Sequence, residues 1–168
     1  MTQQDDRRTA KILRGALAGL VAGVAASFVM DQFQAAVGAL SSSEGGEEQE
    51  PATQKAADSM GRAVTGHEPA QADKPLAGQA MHYALGIGLG VAYGIAAEFR
   101  PSVTAGFGTA FGLGTATLLD EGAVPAVGLG SVPWKAGLTS NLYAYASHLV
   151  FGGTAELVRR RVAGTLES

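Results

Sequence analysis

The most informative pattern in this chain is the spacing between its charged residues. Residues 79–97, 102–119 and 136–155 contain no Asp, Glu, Lys or Arg, and residues 15–30 are likewise uncharged. About 20 helical residues are needed to cross the roughly 30 Å hydrocarbon core of a bilayer. The pattern therefore predicts a single all-α membrane domain, a bundle of four transmembrane helices. We place these helices at about residues 10–40, 77–99, 102–119 and 135–160.

Polar residues are concentrated in one segment, residues 41–75, between the first two predicted helices. The acidic character of this segment predicts a loop that stays outside the bilayer, because carboxylates are costly to insert. Within the loop, residues 52–64 have two interpretations. They form either a short helix near the membrane surface or part of a disordered connection.

The distribution of basic residues predicts the orientation of the helices. If the first helix leaves the cytoplasm, eight of the 12 basic residues fall on the cytoplasmic side, as the positive-inside rule requires. These eight are Arg7, Arg8, Lys11, Arg14, Arg100, Arg159, Arg160 and Arg161. Both termini are then cytoplasmic, and residues 41–75 are extracytoplasmic. A basic start before an apolar run is also typical of a signal peptide, but Asp31 and Gln34 in the cleavage region favour an uncleaved helix.

Glycine recurs at every fourth position on three of the predicted helices. The positions are Gly15, Gly19 and Gly23, then Gly86, Gly90 and Gly94, and finally Gly108 and Gly112. Helices in a membrane associate through close van der Waals packing, and small residues permit that approach. We expect these glycine faces to pack the bundle itself. Contact with a second copy of the chain or with another membrane protein is the alternative.

The two halves of the chain resemble one another. The spacing Gly-x-x-x-Glu occurs at the end of the second and of the fourth predicted helix, at residues 94–98 and 152–156. The first helix contains the pair Ala18-Gly19, the third opens with Ala105-Gly106, and they end near Asp31 and Asp120 respectively. This predicts one helical hairpin used twice, with the two copies related by an axis along the membrane normal.

Five ionisable residues lie at membrane depth, where a charge is costly, and form the candidate polar site. They are Asp31, His82, Glu98, His148 and Glu156. We interpret Glu98 and Glu156 as partners of Arg14, Arg100 or Arg159 at the interface. The alternative is a pair of carboxylates that binds a cation or a proton.

The two histidines have different expected roles. His82 lies near the outer start of its helix, where an imidazole reaches the headgroups. His148 lies about midway along the fourth helix and must face protein or water, as a hydrogen-bonded buried side chain or as a proton relay. If the repeat holds, we also expect Asp31 to meet Asp120 and Glu121 at the outer mouth of the bundle.

Several classes of function are disfavoured by what the sequence lacks. The chain has no cysteine, and its histidines lack the spacing of a metal site, so we expect no metal and no cofactor. No nucleophile elbow or phosphate-binding motif is present, which argues against an enzyme. The net charge of -3 gives no reason to expect nucleic acid as a partner.

The order of several short motifs resembles that of a known family. Gly-Leu-Val-Ala-Gly-Val occupies residues 19–24, His82 precedes Gly-Val-Ala-Tyr-Gly at residues 90–94, and Glu98 follows. Pro-Trp then stands at residues 133–134, ahead of Ser-His-Leu-Val at residues 147–150. This order is similar to that of the YagU-like bacterial inner-membrane proteins, whose domain has no assigned function. The resemblance covers the four helices but not the acidic loop.

The resemblance implies a multi-pass protein of the bacterial inner membrane. Together with the glycine faces, it favours a structural or accessory membrane component whose main partner is the lipid bilayer. The alternative is a small transport or proton-linked membrane protein that uses His148, Glu98 and Glu156.

Overall fold

The computed structural model describes residues 3–40 and 50–167, and every regular element in these residues is helical. The first half contains α1 (Gln3–Leu40), α2 (Ala52–Thr65) and α3 (Lys74–Phe99). A 3-10 helix (Pro101–Thr104) leads to α4 (Thr109–Thr115), a π-helical segment (Ala116–Ala123) and α5 (Val124–Ala126). The last elements are α6 (Pro133–Ala136) and α7 (Leu138–Glu167). The predicted all-α class is confirmed.

The long helix α1 runs antiparallel to both α3 and α7. Near its start, Arg14 contacts Glu98 at the end of α3 and Glu167 at the end of α7. Towards its other end, Asp31 contacts Gln79 in the first turns of α3. We call the end near Arg14 the arginine end, and the end near Asp31 the cavity end because a cavity opens there. The helix α4 packs against α7, so the three long helices and α4 form the bundle.

Glycines hold α1 against α3 at very short range. A Cβ atom added to Gly15 would lie 2.7 Å from the carbonyl oxygen of Gly94, and one added to Gly23 would lie 2.5 Å from that of Gly86. Real Cβ atoms are not found so close to backbone oxygen, so only glycine allows this separation of the helices. The eight glycines of the predicted faces all contact another helix of the same chain.

The interface between α4 and α7 uses the same device. Gly108 and Gly112 face the backbone of Gly152 and His148, and a Cβ atom added to Gly152 would lie 2.9 Å from the nitrogen of Gly112. Gly152 was not among the predicted packing residues. Its partner positions lie on a different helix, so spacing along α7 alone does not reveal its role.

The third predicted helix differs from the structure at both ends. Residues 102–119 were expected to be one helix, but Gly106, Phe107 and Gly108 adopt left-handed conformations with φ of 61°, 57° and 83°. Such a turn interrupts a right-handed helix, and glycine adopts it at little steric cost. The helical stretch therefore begins at Thr109 and continues through the π-helical segment to Ala126, which includes Asp120 within it.

The predicted acidic loop is only partly within the described residues. Residues 41–49 lie outside them, whereas residues 52–65 form the helix α2, so the short-helix interpretation of this segment is the one that the structure contains. The helix packs on the start of α3. Lys74, the first residue of α3, contacts Asp58 on α2 and Glu68 in the connection between the helices.

Large and small side chains are distributed in the opposite way to a water-soluble helical bundle. Ala18, Ala22 and Ala26 on α1 are fully buried. Leu17 and Phe28 on the same helix are 54% and 55% exposed. The other described helices follow this pattern, since large aliphatic side chains on α3, α4 and α7 also point outward. The interior is built mainly from glycine, alanine and serine, and its larger members are Met30, Tyr93, Phe151 and Glu156.

By length and hydropathy, two of the described helices, Gln3–Leu40 and Lys74–Phe99, could cross a membrane. The other two predicted spans do not combine this length with this hydropathy. The α4 stretch is interrupted at its start and carries Asp120 and Glu121, and α7 contains Asn141 and His148 among its apolar residues. The structure thus supports a helical bundle with two candidate membrane-spanning helices.

Candidate functional site

A cavity of about 610 Å³ opens at the cavity end of the bundle. It lies between α1, α3, α7 and the π-helical segment, and the start of α2 forms one further wall. Its volume is in the range of small-molecule binding sites in proteins. Most of its wall is apolar, with contributions from Met30, Leu85, Leu89, Leu119, Val124 and Phe151.

The first polar group in this cavity is a carboxylate–imidazole pair between α1 and α3. Asp31 Oδ1 lies 3.2 Å from His82 Nε2, and Gln79 donates a hydrogen bond of 2.7 Å to Asp31 Oδ2. Gln79 and His82 are three residues apart and therefore lie on the same face of α3. The His82 Nε2 atom is buried, and its approach to Asp31 does not have the geometry of a hydrogen bond.

The second polar group is a similar pair between the π-helical segment and α7. Asp120 Oδ2 lies 3.3 Å from His148 Nδ1, which also lies 3.0 Å from the carbonyl oxygen of Ala144. His148 is 8% exposed, as expected for an imidazole that faces protein. A π-helical turn places side chains differently from an α-helix and is frequent at functional sites. This turn is what positions Asp120 opposite His148.

The lining of the cavity carries an excess of acidic groups. Among the described residues that line it are two carboxylates, Asp31 and Asp120, and two imidazoles, but neither lysine nor arginine. Lys74 lies at the same end of the bundle, but its ammonium group is occupied by Asp58, by Glu68 at 2.9 Å and by Glu50 at 3.5 Å. Within residues 3–40 and 50–167, no lysine or arginine in the lining therefore offsets the two carboxylates.

Glu98 lies at the arginine end, away from the cavity. Its carboxylate accepts a hydrogen bond of 3.0 Å from Arg14 Nε and a second from Arg14 Nη2, which makes a two-point contact between α3 and α1. Such paired hydrogen bonds are the strong form of the arginine–carboxylate interaction. Arg14 also contacts Glu167 and so links three helices. The partner of Glu98 is thus Arg14 rather than Arg100.

Glu156 is the most completely enclosed charged group of the described chain. Its side chain has no exposed surface, and Tyr93 donates a hydrogen bond of 2.7 Å to Oε2. Arg159 donates to Oε2 at 2.8 Å and to Oε1 at 2.9 Å, and Arg160 also donates to Oε1. These four donors occupy both carboxylate oxygens, which leaves little capacity to bind a mobile cation.

The five predicted polar residues therefore belong to two separate places. Asp31, His82 and His148 line the cavity, whereas Glu98 and Glu156 form ion pairs at the arginine end. Asp120 completes the cavity group, as the expected meeting of Asp31 and Asp120 at one mouth suggested. Glu121 does not line the cavity. The role of Tyr93 was missed, although a tyrosine between Gly90 and Gly94 of the glycine face was an available signal.

The arrangement in the cavity suits charge binding better than metal coordination. Among residues 3–40 and 50–167, no group of three or more His, Cys, Asp or Glu side chains is arranged to hold a metal ion. Each aspartate instead faces one imidazole. Such a pair can exchange a proton or present a carboxylate to a positively charged ligand.

A scan against protein-family models, a search of the curated proteins and a search of the solved structures each returned no match for this chain. The resemblance to the YagU-like proteins stays a prediction. Any function must therefore be argued from the residues and their geometry.

Proposed function

We propose that this chain is a multi-pass protein of the bacterial inner membrane with a structural or accessory role. The supporting observation is the distribution of its side chains: many large aliphatic groups are exposed, and the interior consists mainly of small residues, with Met30 and Phe151 as its large apolar members. Exposed apolar surface of this extent is unfavourable in water. In a bilayer the same surface faces lipid, and close glycine contacts replace the hydrophobic effect as the cause of helix association.

The positions of the charges support four crossings with both termini in the cytoplasm. Arg14, Arg100, Arg159 and Arg160 belong to the arginine end of the bundle. Asp31 and Asp120 lie at the cavity end. Under the positive-inside rule, the arginine end is the cytoplasmic one. In this orientation, α1, α3, the stretch from Thr109 to Ala126 and α7 cross the membrane in alternating directions.

The contacts of the two glycine interfaces support the predicted internal repeat. A Cβ atom added to Gly15 would meet the Gly94 carbonyl oxygen and the Glu98 side chain. A Cβ atom added to Gly108 would meet the Gly152 carbonyl oxygen and lie 2.9 Å from Glu156 Cβ. Glycine, glycine and glutamate thus meet in the same register in both halves, as expected for one hairpin used twice.

A structural role agrees with the contacts that the glycines and glutamates make within the bundle. The eight predicted glycines contact helices of the same chain, so they are engaged in building the fold rather than in holding a second copy. Glu98 and Glu156 are held by arginines. We therefore propose neither an enzyme nor a binder of nucleic acid, and we place the bilayer first among the partners.

Proton- or ion-linked transport is the second candidate function. Two carboxylate–imidazole pairs on one cavity favour it, because ionisable groups at membrane depth commonly mark ion or proton pathways. In this case the active groups are Asp31, His82, Asp120 and His148. Glu98 and Glu156 hold the opposite end together.

Membrane extraction tests the first proposal. After expression in bacteria, the chain should remain in the membrane pellet through washes with alkaline carbonate and with urea, and detergent should release it. A known peripheral protein in the same preparation is the control for the washes. Recovery of the chain in the carbonate supernatant would contradict integration into the bilayer.

Proton flux into liposomes tests the second candidate. Purified chain is reconstituted with an entrapped pH-sensitive dye, and His148→Ala and Asp120→Asn are compared with Glu121→Gln, which changes a carboxylate outside the cavity lining. Transport predicts flux that is lost in the first two variants and kept in the third. Equal, background flux in all preparations would leave the structural role as the function.

A further inference from the structure

The cavity combines an apolar wall with two carboxylates that no lysine or arginine among the described lining residues balances. Asp31 and Asp120 approach it from α1 and from the π-helical segment, on two different helical elements. Carboxylates in an apolar environment are unfavourable unless a positive group or hydrogen-bond donors accompany them. Gln79 supplies one donor to Asp31. The remaining positive charge must come from protonated imidazole or from a ligand.

We propose that this cavity binds an organic cation with an apolar body, such as a lipophilic amine or a quaternary ammonium compound. The charge of such a ligand would complement Asp31 and Asp120, and its apolar part would contact Leu89, Leu119 and Phe151. Complementary charge gives a site its specificity, and apolar contact supplies much of the affinity. The volume of about 610 Å³ accommodates a ligand of this kind.

Other ligand classes fit the lining less well. An anion would meet two carboxylates and neither lysine nor arginine among the described lining residues. A bare metal ion would lack a group of three ligating side chains in the described part of the chain. A lipid tail would leave two carboxylates and two imidazoles facing hydrocarbon, which is costly. An apolar cation satisfies both the charged and the apolar parts of the wall.

The imidazoles add a second property to the site. With His82 and His148 neutral, the lining carries two negative charges, whereas protonation of both would cancel them. The groups that face the pairs are Gln79 and Tyr83 from α3 and the Ala144 carbonyl oxygen on α7, and Gln54 from α2 also lines the cavity. None of these can carry a compensating positive charge. A bound cation and two imidazole protons are therefore alternative ways to neutralise the same carboxylates.

Two probes of equal shape and opposite charge test the proposal. Tetraphenylphosphonium is an apolar cation, and tetraphenylborate is an anion of nearly the same size. Equilibrium dialysis of the full-length chain in detergent, against detergent alone, should show saturable binding of the phosphonium and affinity at least about tenfold weaker for the borate. Equal binding of both probes, or saturable binding of neither, would overturn the proposal.

Variants of the lining then locate the site. Asp31→Asn and Asp120→Asn should each weaken phosphonium binding by about tenfold, and the double variant should remove it. Glu121→Gln, which lies next to Asp120 in sequence but outside the lining, should bind as the parent does. Unchanged phosphonium binding in the double variant would place the ligand elsewhere and refute this assignment.

A size test covers the case in which the Asn variants fail to fold. Leu119→Trp would fill part of the cavity and should weaken phosphonium binding, whereas Leu118→Trp changes a side chain that is 73% exposed and should not. Identical binding by these two variants would also refute the assignment. Binding in detergent does not require four membrane crossings, so this proposal and the topology can fail separately.

Discussion

Gly19 on α1 and Gly90 on α3 face each other so closely that a Cβ atom added to either would overlap the carbonyl oxygen of the other. The contact is reciprocal, and it repeats one turn away with Gly15 and Gly94. In the other direction a Cβ atom on Gly23 would meet the Gly86 carbonyl oxygen, whereas one on Gly86 would meet Ser27. Backbone oxygen atoms cannot move aside as a flexible side chain can. The close separation of α1 and α3, the two candidate membrane-spanning helices, therefore requires glycine at these positions.

Substitution of Gly90 should consequently destabilise the bundle. We expect Gly90→Ala to lower the free energy of unfolding by about 2 kcal/mol, because the added methyl group forces α1 and α3 apart. Gly88 on the same helix has open space where its Cβ atom would be. Gly88→Ala should be neutral or stabilising by about 0.5 kcal/mol, since alanine favours a helix over glycine. Thermal unfolding in detergent compares the two, and equal stability would contradict the role of the glycine faces.

Removal of the buried charge of Glu156 should have a larger effect. Glu156→Gln would leave Arg159 and Arg160 without their carboxylate, and we expect a loss of about 3 kcal/mol in unfolding free energy. Tyr93→Phe removes one of the four donors and should cost about 1.5 kcal/mol. Glu121→Gln is the control. The control should denature at the midpoint of the parent chain. If Glu156→Gln and Tyr93→Phe also denature at that midpoint, Glu156 does not stabilise the arginine end.

The helix α2 should be released when Lys74 loses its charge. Lys74 contacts Asp58, which is 5% exposed, and Glu68, and it thereby fastens α2 to the start of α3. In Lys74→Gln, amide hydrogens of residues 52–65 should exchange faster, while those of α1 keep their protection. Lys55→Gln removes the same charge from α2 itself and provides the comparison. Equal rates of amide hydrogen exchange in α2 of both variants would show that the Lys74 contacts do not hold α2 against α3.

Features that depend on local spacing could be predicted in part from the sequence, although the third predicted helix begins later than expected. Helices follow from the length of apolar segments, and the glycine faces follow from a four-residue period. The pairing of Glu98 and Glu156 with arginines follows from proximity in the chain or at a common end, although Arg14, not Arg100, is the partner of Glu98. The helical class of the fold could therefore be inferred without coordinates.

Features that depend on contact between distant segments could not be inferred in the same way. The pairing of Asp120 with His148 depends on the left-handed turn at Phe107, which delays the start of α4, and on the π-helical segment that follows. Neither the left-handed turn nor the π-helical segment produces a periodic pattern in the sequence. The burial of Glu156 depends on Tyr93 from another helix. Periodicity assigns residues to faces, but it does not state which faces meet.

Labelling of single cysteines from outside intact cells tests the central claim, four crossings with both termini in the cytoplasm. The chain has no native cysteine, so one can be placed at Ser43, Ser102, Ser131 or Ser168 in turn. A membrane-impermeant maleimide should label positions 43 and 131 and spare positions 102 and 168 until the cells are opened. Labelling of position 102 in intact cells, or protection of both 43 and 131, would contradict the account.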